Sequence, residues 1–152
     1  MKLFAAVATL ILATFATAQS PMFIGCGAFP EILVDFLFLN PYPLCVGKTV
    51  TITVIGSIST PILDRSTLKI SGRYLGRIVY WDNTHDLCSL LAFTGNPCPV
   101  PTSQYALSMD VLVKSTFPKN VPVDLYIEAF NGGDLTRRLF CQVATVTGQT
   151  CP

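Results

Sequence analysis

One histidine and its acidic neighbours are the residues of this sequence best suited to acid–base or metal chemistry. His85 lies between Asp82 and Asp86, so a Ser–His–Asp site would have to be built on it. The sequence has no G-x-S-x-G motif and no second histidine to support such a hydrolase. Asp82, Asn83 and Asp86 carry oxygen ligands, but their spacing does not match the known calcium loop. We therefore interpret His85 as a solvated loop residue and expect neither catalysis, nor a cofactor, nor a bound metal.

The remaining charged residues are sparse and mixed in sign. Ten basic and nine acidic residues give a net charge of +1, and 12% of the chain is charged. Without a basic run, the sequence offers no electrostatic footprint for nucleic acid or an anionic membrane surface. Carboxylate pairs for glycoside hydrolysis can be drawn, but most acids fall on solvent faces of predicted strands. Arg137 and Arg138 could meet a lipid phosphate, and we interpret them as a solvated turn.

The six cysteines form a second group with chemical potential: Cys26, Cys45, Cys88, Cys98, Cys141 and Cys151. With no C-x-x-C motif and one histidine, the spacing of a zinc site is absent. An even number of cysteines in a secreted chain predicts disulfides. The residues alone leave the pairing open, because six cysteines combine in many ways.

Secretion is predicted from the first 18 residues, MKLFAAVATLILATFATA. Lys2 precedes an apolar run from Leu3 to Phe15, and Ala16-Thr17-Ala18 is a small-x-small cleavage pattern. The alternative is a membrane anchor, but the run is shorter than the ~20 residues that a spanning helix needs. We therefore predict a cleaved signal at 1–18 and one domain at 19–152, in the extracellular space or in a vacuolar or lysosomal lumen.

Apolar residues alternate with polar ones along most of the mature chain. The alternating stretches are 50–54, 68–74, 105–113 and 121–129, which predict strands with one buried face. Two apolar runs, 32–39 and 77–81, predict strands buried on both faces, and a last strand is predicted at 139–146. Eleven prolines argue against long helices. The expected fold is all-β, an immunoglobulin-like antiparallel β-sandwich of about seven strands.

One apolar segment interrupts this rhythm. Between Trp81 and Ser103 we predict a loop that carries Leu87, Leu90, Leu91, Phe93 and Val100. Such a loop either caps the core or lines an opening, because it should not lie freely in water.

Several strings of the sequence resemble the ML lipid-recognition domain family, which includes sterol carriers and fungal phosphatidylglycerol/phosphatidylinositol transfer proteins. They occur in family order and are LNPYPLCVGKTVTITVIGSISTPI (39–62), GRYLGRIVYWDNTHDLC (72–88), CPVP (98–101), VPVDLYIEAFN (121–131) and LFCQVATV (139–146). The resemblance implies the disulfides Cys26–Cys141 and Cys88–Cys98. The sterol carriers have a short third bridge beside the proline-rich turn, where this chain has Cys45 alone. With the other four cysteines assigned, Cys45 and Cys151 remain as the third pair.

The resemblance also implies a lipid, sterol or phospholipid, held between two sheets. Burying a 16-carbon chain would contribute on the order of 10 kcal/mol before ordering costs. The implied inward contacts are Ile70, Tyr74, Tyr105, Leu107, Met109, Leu125 and Ile127. Residues implied at the mouth are Trp81, Phe93, Pro99 and Val100. Each inward position could equally be packed core, since periodicity does not distinguish a filled sandwich from a slotted one.

The expected partners are therefore a lipid and, transiently, a membrane. We expect a monomer and no nucleic acid. The alternative function is a secreted recognition module that binds a glycan or a partner protein through its loops. An internal apolar cavity would favour the carrier, and a filled core with a flat exposed patch would favour the module.

Overall fold

The alternating residues form two β-sheets packed face to face. The computed structural model describes residues 20–152, so the predicted signal segment, 1–18, lies outside the described residues. The elements in chain order are β1 (Ile24–Gly25), β2 (Ile32–Asn40), β3 (Leu44–Cys45), β4 (Thr49–Ile58), β5 (Thr67–Tyr74), β6 (Arg77–Asp86), α1 (Leu87–Phe93), β7 (Ala106–Leu112), β8 (Pro122–Phe130) and β9 (Arg138–Gln149). Leaving aside the two-residue strands β1 and β3, seven strands remain, as predicted.

The large sheet has the strand order β1-β9-β8-β5-β6, and β3 pairs in parallel with the end of β9. The small sheet has the order β2-β4-β7. Pairs within the main path of each sheet are antiparallel. The inner faces bury alternate residues, such as Ile52 and Val54 on β4 and Leu125 and Ile127 on β8. The predicted all-β sandwich and its alternating strands are confirmed.

The predicted burial of β2 and β6 on both faces is wrong. On β2, Leu33 and Phe36 are 64% and 60% exposed. On β6, Ile78 and Trp81 are exposed as well. A sandwich has only two layers, so the outer face of every strand meets solvent even when its residues are apolar. The apolar runs therefore mark exposed outer faces rather than double burial.

The predicted loop after Trp81 is wrong in its first half. β6 continues to Asp86, whose carboxylate caps α1 by accepting hydrogen bonds from the backbone N–H groups of Cys88 (3.0 Å) and Ser89 (3.3 Å). Leu87 and Leu91 on the helix are buried, and α1 packs against β7. The helix thus covers part of the core, as one of the two roles expected of this segment. Among the described residues, no helix is long and apolar enough to cross a membrane.

Disulfides fasten one edge of the sandwich and the helix. Cys26–Cys141 joins the segment before β2 to β9, and Cys45–Cys151 joins β3 to the segment after β9. We call this side, where β2 lies beside β9, the disulfide edge. The third bond, Cys88–Cys98, closes the segment around α1. Cys26–Cys141 and Cys88–Cys98 are the pairings that the family resemblance implies, and Cys45–Cys151 is the pair that remained once those two were assigned.

Candidate functional site: an apolar cavity between the sheets

A β-bulge in β6 decides which aromatic side chain of this strand faces the core. Gly72 lies opposite Tyr80, whereas Arg73 lies opposite Ile78, so β6 has one extra residue between the two pairs. Side chains alternate along a regular strand, so the extra residue puts Tyr80 on the opposite face from Ile78. Tyr80 therefore points inward and is 4% exposed, and Trp81 points outward and is 49% exposed.

Between the inner faces of the two sheets, the described residues line a cavity at the end of the sandwich where β4 begins and β7 ends. Its volume is about 20 Å³, measured as the space open to the centre of a water-sized sphere. This is room for roughly one water molecule. Its lining is Leu39, Leu44, Val50, Ile52, Ile70, Tyr80, Val111, Leu112, Val113, Phe117, Leu125 and Ile127. The only polar side-chain group in this lining is the phenol of Tyr80, so the walls are suited to hydrocarbon.

Tyr80 contributes its ring to the wall and directs its hydroxyl to the backbone. The ring meets Phe117 edge to face, with centroids 4.8 Å apart. The hydroxyl oxygen accepts a hydrogen bond from the N–H of Lys114 at 3.4 Å. Burial raises the pKa of Tyr80 to about 12, a rise that the Lys114 hydrogen bond opposes and the carboxylate of Asp82 supports. The phenol is therefore neutral at physiological pH, as an apolar wall requires.

Two residues beyond Tyr80, an acidic side chain also faces inward. Asp82 lies opposite Ile70 and is 1% exposed. Its Oδ2 is 2.8 Å from Nε2 of His85, and its Oδ1 is 2.5 Å from Nζ of Lys114. The interpretation of His85 as a solvated loop residue is therefore wrong: it is a strand residue with a carboxylate partner. The cluster joins β6 of the large sheet to the segment that follows β7 of the small sheet.

The two adjacent arginines considered in the sequence, Arg137 and Arg138, are engaged in ion pairs. Nε of Arg137 is 2.9 Å from Oε1 of Glu31, and Arg138 lies 3.6 Å from Glu128. Arg137 lies in a turn, as interpreted from the sequence, and both arginines are partly exposed; the ion pairs are what the sequence did not predict. Burial opposes ionisation of Glu31, but hydrogen bonds from Asn131 and Arg137 hold the pKa of its carboxyl below the ordinary value. The Arg137–Glu31 pair joins the segments that precede β9 and β2, and the Arg138–Glu128 pair joins β9 to β8.

The described residues contain one cluster with metal-ligand atom types. It consists of Asp64, Cys88 and Cys98. Both sulfurs belong to the disulfide Cys88–Cys98, so they are not thiolate ligands. This donor set does not fit a structural or catalytic metal site.

Of the predicted lipid contacts, three line the cavity. They are Ile70, Leu125 and Ile127. Leu107, Met109 and Val100 are buried in the same core but lie outside the cavity lining. Val100 pairs with Ile62 in an isolated bridge instead.

The five other predicted contacts lie at the surface. Tyr74 and Tyr105, expected to point inward, are 40% and 54% exposed. The Tyr105 hydroxyl donates a 2.5 Å hydrogen bond to Asp35. Phe93, at the end of α1, is 87% exposed, and Pro99 is exposed too. Trp81, placed outside by the bulge, lies under the ammonium group of Lys69 at 4.8 Å from the ring centroid.

Several lining residues were missed in the sequence. Val50 and Ile52 belong to an alternating strand, so their inward position was readable, although periodicity did not single them out as cavity walls. Phe117 follows β7 in a turn in which its N–H bonds to the carbonyl of Lys114 at 3.0 Å. A turn residue has no period to reveal its direction. The inward direction of the Tyr80 side chain depends on the bulge, for which the sequence gives no signal.

Comparison with known proteins agrees with this architecture. Residues 25–147 match the family profile of the ML domain. A search of curated protein sequences finds no significant match. Among solved structures, the chain is similar in fold to a Niemann–Pick type C2 protein from Japanese carpenter ant. The superposition has a TM-score of 0.66 at 13% sequence identity and covers 84% of this chain and 99% of the ant protein.

The profile match spans most of the described domain, from β1 to β9. The matched region includes both sheets, the cavity between them and two of the three disulfides in full. The chain therefore belongs to the ML-domain family.

Proposed function

We propose that this protein is a secreted carrier that holds a sterol or a phospholipid between its two sheets and moves it between membranes. The observation that carries the proposal is the apolar cavity between the sheets of an ML-domain fold. Carriage requires burial followed by release, so no catalytic group takes part. The three disulfides fit an oxidising compartment, either extracellular or a vacuolar or lysosomal lumen. The protein would act as a monomer.

The carrier must enlarge its cavity when lipid enters. Sites for small apolar ligands commonly measure about 300–1,000 Å³, whereas the cavity here measures about 20 Å³. Lipid therefore has to separate the two sheets, and its hydrocarbon then replaces the contacts that the two inner faces make with each other. Each methylene transferred from water contributes about 0.8 kcal/mol, which offsets the free energy needed to part the two apolar faces. The apolar lining makes the closed form stable without lipid and receptive to it.

The hairpin that joins β5 to β6 is the proposed membrane contact. Its two-residue turn consists of Leu75 and Gly76, both with positive φ (49° and 76°). Such type I′ turns favour Asn, Asp or Gly, and a leucine is strained there. Leu75 is nonetheless 84% exposed at the tip, with Ile78 exposed beside it and the cation Arg77 between them. An exposed apolar tip beside a cation suits brief insertion at a lipid headgroup layer.

A recognition module remains the second candidate, and one observation favours it. The outer face of the small sheet exposes Leu33, Phe36 and Phe38, and the two phenylalanine rings stack with centroids 6.0 Å apart. Apolar side chains clustered on an outer sheet face are a common feature of protein-binding surfaces. This function would require the outer face and leave the cavity unused.

Lipid extraction separates the two candidates. The protein would be purified from a eukaryotic secretion host, extracted with organic solvent and examined by mass spectrometry. The same protein, stripped of lipid, would be mixed with vesicles that contain either dehydroergosterol or a pyrene-labelled phospholipid. The carrier predicts about one lipid per chain in at least one of these assays. Absence of lipid from the extract together with no uptake of either probe would contradict carriage.

A further inference from the structure

The two lateral edges of the sandwich are fastened in different ways. At the disulfide edge, two covalent bonds and the β3–β9 pairing fasten to β9 of the large sheet the segments that lead into β2 and β4 of the small sheet. The N–H of Glu31 adds a backbone hydrogen bond of 3.0 Å to the carbonyl of Arg138. At the opposite edge, β6 and β7 end their respective sheets and do not pair with one another. We call this side the seam.

Among the side chains that the structure describes, three interactions cross the seam where it passes the cavity. They are the rings of Tyr80 and Phe117, the hydrogen bond from the Lys114 N–H to the Tyr80 hydroxyl, and the ion pair between Asp82 and Lys114. Farther along, α1 bridges the same edge, and the Thr94 hydroxyl donates a 2.5 Å hydrogen bond to the carbonyl of Ser108. The portion beside the cavity is therefore held by side chains and not by a β-ladder.

The ion pair stands at the border of the cavity on both sheets. Asp82 is two residues from Tyr80 on the inner face of β6, and Lys114 directly follows Val113; both Tyr80 and Val113 line the cavity. Asp82 Oδ1 is buried, and the ammonium group of Lys114, 2.5 Å away, compensates its charge. The Lys114 side chain is 35% exposed and can turn into solvent when the pair separates.

We propose that Asp82 and Lys114 form a latch that keeps the seam closed and sets the rate at which lipid passes through it. A buried carboxylate attracts its partner strongly while the seam is shut, because few waters screen the pair. Once the seam opens, water solvates both groups and the attraction weakens. The pair therefore raises the barrier to opening without contributing to the lipid contacts of the open form. His85, on the second carboxylate oxygen, keeps Asp82 in position.

Two variants and a matched control test the latch. Asp82→Asn and Lys114→Gln each remove the ion pair. Asp82→Asn is the safer variant, because the partly exposed Lys114 can turn into solvent, whereas Lys114→Gln leaves the buried Asp82 carboxylate without its cation. Arg137→Gln removes a comparable pair, Arg137–Glu31 at 2.9 Å, but at the disulfide edge. Stopped-flow uptake of dehydroergosterol or pyrene-labelled phospholipid from neutral vesicles, and its release, should be about tenfold faster in the latch variants. The control should keep the wild-type rates.

The lipid assay rests on the function proposed above, so a second measurement tests the latch without lipid. Native-state hydrogen exchange follows the Lys114 amide, which bonds across the seam to Tyr80. We expect this amide to exchange about tenfold faster in both latch variants. The Cys26 amide, bonded to the Cys141 carbonyl at the disulfide edge, should not change.

The outcomes separate the two proposals. Faster Lys114 exchange in the latch variants, together with no lipid uptake by the wild type, would support the latch and contradict carriage. Unchanged Lys114 exchange in both latch variants would overturn the latch, whatever the lipid result. Equal acceleration of this amide by Arg137→Gln would also overturn it, because the effect would then reflect general destabilisation.

Discussion

The ring of Tyr80 in the large sheet meets the ring of Phe117, which follows the last strand of the small sheet, at 67° between planes and 4.8 Å between centroids. An edge-to-face aromatic pair of this kind contributes about 0.5–1.5 kcal/mol beyond the area it buries. Both rings line the cavity, so the same contact closes one side of it and joins the two sheets.

Alkaline unfolding should detect the buried phenol of Tyr80. Its pKa is about 12 in the folded protein, against 10 for an unperturbed tyrosine. The unfolded chain thus releases this proton first, and the folded state loses stability as pH rises from about 10 through 12. The loss should be on the order of 2 kcal/mol, and it is absent below pH 10. Urea unfolding at a series of pH values measures it.

Tyr80→Phe is the matched variant for that measurement. It should lack this part of the alkaline loss while keeping the part from Tyr105, whose pKa is raised by its hydrogen bond to Asp35. Identical alkaline slopes for the variant and the wild type would show that Tyr80 does not titrate as a buried group.

Replacing Leu75 at the hairpin tip should change stability and membrane binding in opposite directions. Leu75→Asn supplies the residue that a type I′ turn prefers and should stabilise the fold by about 0.5–1 kcal/mol. The same change removes the exposed apolar tip and should weaken co-sedimentation with phospholipid vesicles severalfold. Thermal unfolding and vesicle sedimentation test the two effects.

Leu135→Asn is the control for the hairpin variant. Leu135 is 70% exposed and lies in the β8–β9 connection, at the opposite end of the sandwich. It should leave vesicle binding unchanged. Equal losses in both variants would contradict a membrane contact at the hairpin.

The sequence predicted the two-sheet sandwich because alternation over 50–54 and 121–129 depends on local side-chain direction alone. It did not predict the bulge in β6, because a bulge depends on the strand that β6 pairs with. The sequence analysis took 77–81 as buried on both faces and placed Trp81 at the mouth through the family resemblance, whereas the bulge turns Tyr80 to the core and Trp81 to solvent. The helix α1 was missed because apolar residues dominate its span, although Asp86 stood in a capping position three residues before Ser89.

The same limits decided which cavity residues could be predicted from the sequence. Ile70, Leu125 and Ile127 were found because regular strands carry them. Phe117 was not found, because a turn places it. The bond between Cys45 and Cys151 joins positions 106 residues apart, and it was predicted only by elimination, after the family resemblance had assigned the other four cysteines.

Asn131, directly after β8, should be essential for the β4–β5 connection, to which most of its hydrogen bonds run. It is fully buried, its Oδ1 accepts hydrogen bonds from Leu63 N–H (2.8 Å) and Ser66 Oγ (3.0 Å), and its Nδ2 donates to Glu31 (2.6 Å) and to the Pro61 carbonyl (3.0 Å). Asn131→Leu would leave these groups without a partner and should lower the free energy of unfolding by about 3–5 kcal/mol.

Chemical denaturation would measure this loss. Ser103→Leu, an exposed polar-to-apolar change, is the comparison and should stay within about 0.5 kcal/mol of wild type. A similarly small effect of Asn131→Leu would mean that water replaces the side-chain network.

Two valines on the inner face of β4 offer a matched pair for locating the lipid. Val50 lines the cavity, whereas Val54, four residues along the same face, is buried outside it. A phenylalanine at either position overpacks the core and should destabilise the fold by about 1–3 kcal/mol. Only Val50→Phe fills the space that lipid is proposed to occupy.

The most direct test of carriage is therefore the number of lipid molecules bound per chain after incubation with vesicles containing dehydroergosterol or a pyrene-labelled phospholipid. We expect about one lipid per chain for the wild type and for Val54→Phe, and close to none for Val50→Phe. Equal loading of Val50→Phe and Val54→Phe would place the lipid outside the cavity, and no loading of the wild type would contradict lipid carriage itself.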